Sequence, residues 1–131
     1  MPQANHPRPT ESELQILEVL WARGPSTVRE VFEVISEARD VGYTTVLKLM
    51  QIMAGKGLVT RDEARRTHVY KARLSRKRTQ KRLVGELIDK AFGGSAAGLI
   101  GQALMSRKPS DDELREIHSL IEQYRKEQGH D

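Results

Sequence analysis

Residues 42–60 read GYTTVLKLMQIMAGKGLVT. At 100° per residue, Val46, Leu49, Met50 and Met53 fall on one stripe, which predicts a helix with one buried side. Thr44, Lys48 and Gln51 lie opposite, Thr45 at one margin, and Leu47 and Ile52 on the flanks. Gly55-Lys56-Gly57 is expected to stop the helix. The segment contains no Asp or Glu. An outer side rich in hydrogen-bonding groups and free of acid suits an anionic partner, because a carboxylate there would repel it.

Upstream, Thr10-Glu11-Ser12-Glu13 reads as a capping box, in which the Thr hydroxyl accepts from the Glu amide and the Glu side chain reaches back. It opens a first helix carrying Leu14, Leu17, Val19, Leu20 and Trp21, which runs to about Arg23 and ends at Gly24-Pro25. A second box, Thr27-Val28-Arg29-Glu30, opens a second helix with Val31, Val34 and Ile35 on its buried side and Phe32 nearby. Downstream, Leu58–Thr60 and His68–Ala72 read as short strands joined by the basic turn RDEARRT. Three helices followed by a hairpin describe a winged helix-turn-helix, whose third helix is the element that enters the DNA major groove.

The remainder reads as helices. Ser75 caps one over Arg76 to Phe92, basic at its start (RKRTQKR), with Leu83, Val84, Leu87, Ile88, Ala91 and Phe92 on a broad apolar face. Gly93-Gly94 breaks it. Ser95–Met105 follows with Leu99 and Leu104, rich in small residues and weakly helical alone. Pro109 and the box Ser110-Asp111-Asp112-Glu113 open a last helix striped by Leu114, Ile117, Leu120, Ile121 and Tyr124. These stripes exceed what one protomer can cover, and a two-fold partner is the economical way to bury them. Leu83, Leu87, Phe92, Leu99, Leu104, Ile117, Leu120, Ile121 and Tyr124 are the expected homodimer contacts; the alternative is that these helices fold back on their own winged domain. The fold class is thus mainly α with a small β-hairpin wing: residues 1–9 a loose arm, 10–74 a winged domain, 75–131 a helical dimerisation region.

Charge agrees with an anionic partner. Residues 39–78 hold eleven Arg/Lys against three Asp/Glu, a local net of +8, whereas the whole chain carries only +4. Such a block is the electrostatic footprint of a polyanion partner. The absence of cysteine excludes disulfides and thiolate metal sites and fits a reducing cytoplasm, the expected location. No apolar run approaches the roughly 18 residues of a membrane span, and the polar, proline-rich start is no signal peptide. His6, His68, His118 and His130 show no metal-ligand spacing, and there is no P-loop, GxSxG or thiol nucleophile. No enzyme and no cofactor is expected.

Each outward group on the third helix has a use on double-stranded DNA. The Thr44 and Thr45 hydroxyls can hold phosphate and their methyls can meet thymine methyls; Lys48 can reach a guanine edge or a phosphate; Gln51 can donate to and accept from adenine. Arg65 and Arg66 at the wing tip are placed for the flanking minor groove or the phosphates, and Lys56 and Arg61 for phosphate. Two readings stay open beside sequence-specific binding: a winged helix used for contact with an acidic protein, and a protein that packages DNA without sequence choice.

The run GYTTVLKLMQIMAGKGLVT, with Arg66 and Tyr70 in RTHVYKA, resembles the penicillinase-repressor (BlaI/MecI/CopY) family, as do TESELQILEVLW, GPSTVREV, FGGSAAGLI and SDDELREIHSLIE. The likeness implies a dimeric winged-helix repressor of transcription on a palindromic operator. It also implies a partner in a membrane metalloprotease sensor that detects a β-lactam and triggers cleavage. Three features depart from the pattern. Ile52 stands where the family often has arginine, and Leu47 where it commonly has lysine, so the base-reading face is this chain's own. Gln102-Ala103 aligns with the family's scissile Asn-Phe. The cysteine motif of the copper-responsive branch is missing.

Overall fold

The computed structural model describes residues 8–129, so the expectation for residues 1–7 of the arm lies outside the described residues. In order, the elements are α1 (Glu11–Arg23), α2 (Val28–Ala38), α3 (Tyr43–Lys56), β1 (Val59–Asp62), β2 (Val69–Ala72), α4 (Arg76–Ala91), α5 (Ala96–Arg107) and α6 (Asp111–Glu127). The fold is mainly helical with one two-stranded antiparallel hairpin: a winged helix-turn-helix followed by further helices.

Local chemistry sets the helix starts. The Thr10 hydroxyl accepts from the Glu13 amide while Glu13 takes the Thr10 amide, and Thr27 and Glu30 repeat the exchange at α2. Both are complete capping boxes, each satisfying two orphan donors. Ser110 accepts from the Glu113 amide at α6. Gly57 closes α3 in the left-handed conformation, φ 82°, and a Cβ there would stand 3.1 Å from the Arg73 guanidinium.

The core joins α1, α2, α3 and the hairpin. Ile16, Leu17, Val19 and Leu20 meet Val28, Val31 and Ile35, Val46, Met50 and Met53, and Val59 and Tyr70. Val34 departs from the expected buried side of α2 and is exposed; Val28 lies on the buried side with Val31 and Ile35. On α3, Val46, Met50 and Met53 are buried as their spacing requires, and Leu49 packs against the core half-buried.

The hairpin pairs Val59 with Ala72, Thr60 with Lys71, Arg61 with Tyr70 and Asp62 with Val69. It thus begins one residue later and runs two residues further than the run of β-formers at Leu58–Thr60, and His68 lies outside it. Tyr70, 2% exposed, explains the register. Its amide donates to the Ser26 carbonyl at 2.8 Å and its carbonyl accepts from the Ser26 amide at 2.9 Å. The α1–α2 turn therefore fixes Tyr70, and pairing spreads to the residues opposite it whatever their strand preference.

Two compact units divide the chain, one reaching Val84 and the other starting at Gly85. The first turns of α4 belong to the first unit. The Trp21 indole donates to the Leu74 carbonyl at 2.9 Å, Arg76 lies over the Trp21 ring at 5.6 Å and pairs with Glu18 at 2.7 Å, and Thr79 is buried. In the second unit no described residue is buried. No helix among the described residues is long and apolar enough to cross a membrane.

Candidate nucleic-acid interface

The outer side of α3 is open. Thr44, Thr45, Lys48 and Gln51 are all exposed, two to three turns of helix whose opposite side is fixed in the core. Gly42 caps the helix without a side-chain hydrogen bond, and the first turn holds no acid. The partial positive charge of the helix N-terminus is therefore not offset by any acid of its own first turn.

Aromatic contacts hold the start of α3. Tyr43 meets Phe32 edge-on, ring centroids 5.7 Å apart, and the Arg29 guanidinium lies 4.9 Å from the Tyr43 ring centre. Arg29 and Phe32 are three apart on α2, so one face of that helix grips the first residue of α3. Sequence reasoning missed this grip; the available signal was an aromatic and a cation at helical spacing opposite an aromatic that opens the next helix.

Lys56 is engaged within the protein. Its ammonium lies 2.7 Å from Glu13 and 3.4 Å from the Arg8 carbonyl. Burial works to raise the Glu13 carboxyl, but the hydrogen bond and charge of Lys56 and the Thr10 contacts hold it below its ordinary value. Arg61 is likewise engaged, with Glu63 at 2.6 Å and the Tyr70 hydroxyl at 3.5 Å, and these hydrogen bonds hold its guanidinium above its ordinary value. At the tip, Asp62 accepts from the Ala64 amide at 2.9 Å and shapes the turn. Arg65 and Arg66 are exposed there and make no ion pair among the described residues.

Of the residues expected at a dimer contact, Leu83, Phe92, Leu99, Leu104 and Ile117 are half-buried, while Leu87, Leu120, Ile121 and Tyr124 are exposed. Gln102 and Ala103 are exposed within α5.

The described residues thus form a helix-turn-helix with an acid-free outer face on α3 and a basic wing tip, followed by a further set of amphipathic helices. The family model described as Penicillinase repressor matches residues 9–123. The chain belongs to the penicillinase repressor family. Two curated relatives of this penicillinase repressor family chain, each described as Transcriptional regulator BlaI and coming from two strains of Mycobacterium tuberculosis, are 42% identical to it over 59 residues. The match covers 44% of this chain and 43% of each relative, so under half the length of the curated relatives is spanned.

Proposed function

We propose that this chain is a sequence-specific DNA-binding repressor of transcription that acts as a homodimer on a palindromic operator in the cytoplasm. The observation that carries this reading is the exposure of Thr44, Thr45, Lys48 and Gln51 on the outer side of a helix with no acid in its first turn. Placed in a major groove, Lys48 and Gln51 reach base edges and the two threonines hold the backbone. Arg65 and Arg66 take the flanking phosphates, and Arg61 presents a guanidinium already oriented by Tyr70 and Glu63. Lys56 supports the helix from behind through Glu13.

Dimerisation rests on the second unit. Leu87 is 49% exposed and Tyr124 62%, too much apolar surface to leave in water without a partner. A second copy buries it and supplies a second α3, which makes the operator two-fold. Anything that loosens this contact then releases DNA, because each half alone loses the effective concentration of the other. A membrane metalloprotease sensor is the upstream partner that family membership brings into view, with Gln102-Ala103 at the bond aligned with the usual cleavage position.

The test is the affinity for duplex DNA as a function of salt, with the mass of the free protein measured alongside. A steep log–log slope with a clear preference among sequences supports the proposal. A steep slope without preference means DNA packaging, and no DNA affinity means that an acidic protein is the partner.

A further inference from the structure

Ile52 is the most exposed large apolar side chain of α3, at 44% of its surface. It lies on the flank of α3, at the edge of the outward side. Thr45, Lys48 and Ile52 follow the i, i+3, i+7 pattern of one helical stripe, with Thr45 and Ile52 about 10.5 Å apart along the axis. Ile52 is not among the described residues packed against the core, and 44% of its surface stays open to solvent. Gly55, one turn further on, is exposed and has no atom within 4 Å of where a Cβ would stand. Tyr43, the other exposed apolar residue of α3, is held by Phe32 and Arg29 and is already accounted for.

An isoleucine in this position cannot serve the core and cannot bond to phosphate. On the DNA reading above, on which this inference rests, it meets the floor of the major groove beside Lys48. That floor offers one apolar feature, the C5-methyl group of thymine. We propose that Ile52 is a specificity-determining residue that selects thymine by apolar contact with its methyl group. Lys48 and Gln51 set the hydrogen-bonded positions of the half-site, and Ile52 adds one read by removal of apolar surface from water. The same contact leaves a cytosine at that position with its polar amine against an isoleucine, which sharpens the choice.

The experiment uses the full-length protein and the duplex recovered by selection from a random pool. Each thymine of the half-site is replaced in turn by deoxyuridine, which removes the methyl group and nothing else. Dissociation constants are then measured for the wild type and for Ile52→Ala. One symmetric pair of thymines should stand out: loss of the methyl weakens the wild type by roughly three- to tenfold. Ile52→Ala should bind the unmodified duplex with a similar loss and show no further loss on the deoxyuridine duplex. The wild-type scan stands without any variant. Two outcomes overturn the inference while leaving DNA binding intact: no thymine responds, or the response is the same size in Ile52→Ala. A selection that recovers no preferred sequence overturns the repressor reading, and this inference with it.

Discussion

The Lys56 ammonium lies 2.7 Å from the Glu13 carboxylate, so the last residue of α3 is fastened to the first turn of α1. Glu13 also accepts from the Thr10 amide at 2.9 Å. One almost fully buried side chain thereby closes the cap of α1 and anchors the far end of α3. Lys56→Met leaves that carboxylate without its cation. The expected cost is on the order of 1–3 kcal/mol, read as a lower thermal midpoint. An unchanged midpoint would remove the anchor from the account. The variant should also keep the wild-type salt slope for DNA; a slope smaller by about 1 would make Lys56 a phosphate contact instead.

The same pair sets an acid limit. Burial opposes ionisation of Glu13, and the Lys56 and Thr10 contacts overcome it, so the folded pKa is below the ordinary 4.5. A depressed carboxyl stabilises the fold fully above the unfolded value, and the contribution is lost as pH falls through the folded value. Stability should therefore decline in the acid range below about pH 4.5. Glu13→Gln should flatten that decline in part, since Glu30 is also lowered, by the Thr27 amide first. Urea unfolding across this range checks it; an identical acid profile in wild type and Glu13→Gln would contradict the assignment.

Lys48 is the cation at the centre of the outward face. Lys48→Ala should cost about 1–3 kcal/mol on the selected operator and relax the preference at one base position of each half-site. Equal weakening on all sequences would make it a phosphate contact, which fixes register without reading sequence.

Leu87 tests the second unit. Its side chain is half exposed in the single chain, so Leu87→Asp should leave the protomer folded and yield a monomer. Sedimentation equilibrium reads this directly. A dimer mass unchanged by the substitution would move the interface elsewhere.

Much of this was legible in the sequence because it rests on local chemistry. Thr10 with Glu13 and Thr27 with Glu30 form the boxes that their spacing requires, and Val46, Met50 and Met53 are buried as a 3.6-residue period dictates. Four features were not legible. Arg61 and Asp62 join the hairpin because Ser26 pins Tyr70 from another part of the chain, a non-local pairing that strand preference cannot announce. Val34 reads as core by its side chain but is exposed, since a short helix buries only a narrow stripe, here Val28, Val31 and Ile35. The first turns of α4 join the winged unit through Trp21 and Leu74, 53 residues apart. Lys56 looks like a free cation until the fold brings Glu13 beside it. Sequence spacing finds partners three or four residues away; these partners are far apart in the chain.

The most direct measurement is selection of bound fragments from a random DNA pool at physiological salt, using the full-length protein. The account predicts a two-fold symmetric site, with half-sites about one helical turn apart or a multiple of it. Recovery of no sequence above bulk DNA would contradict the claim that the outward face of α3 reads an operator.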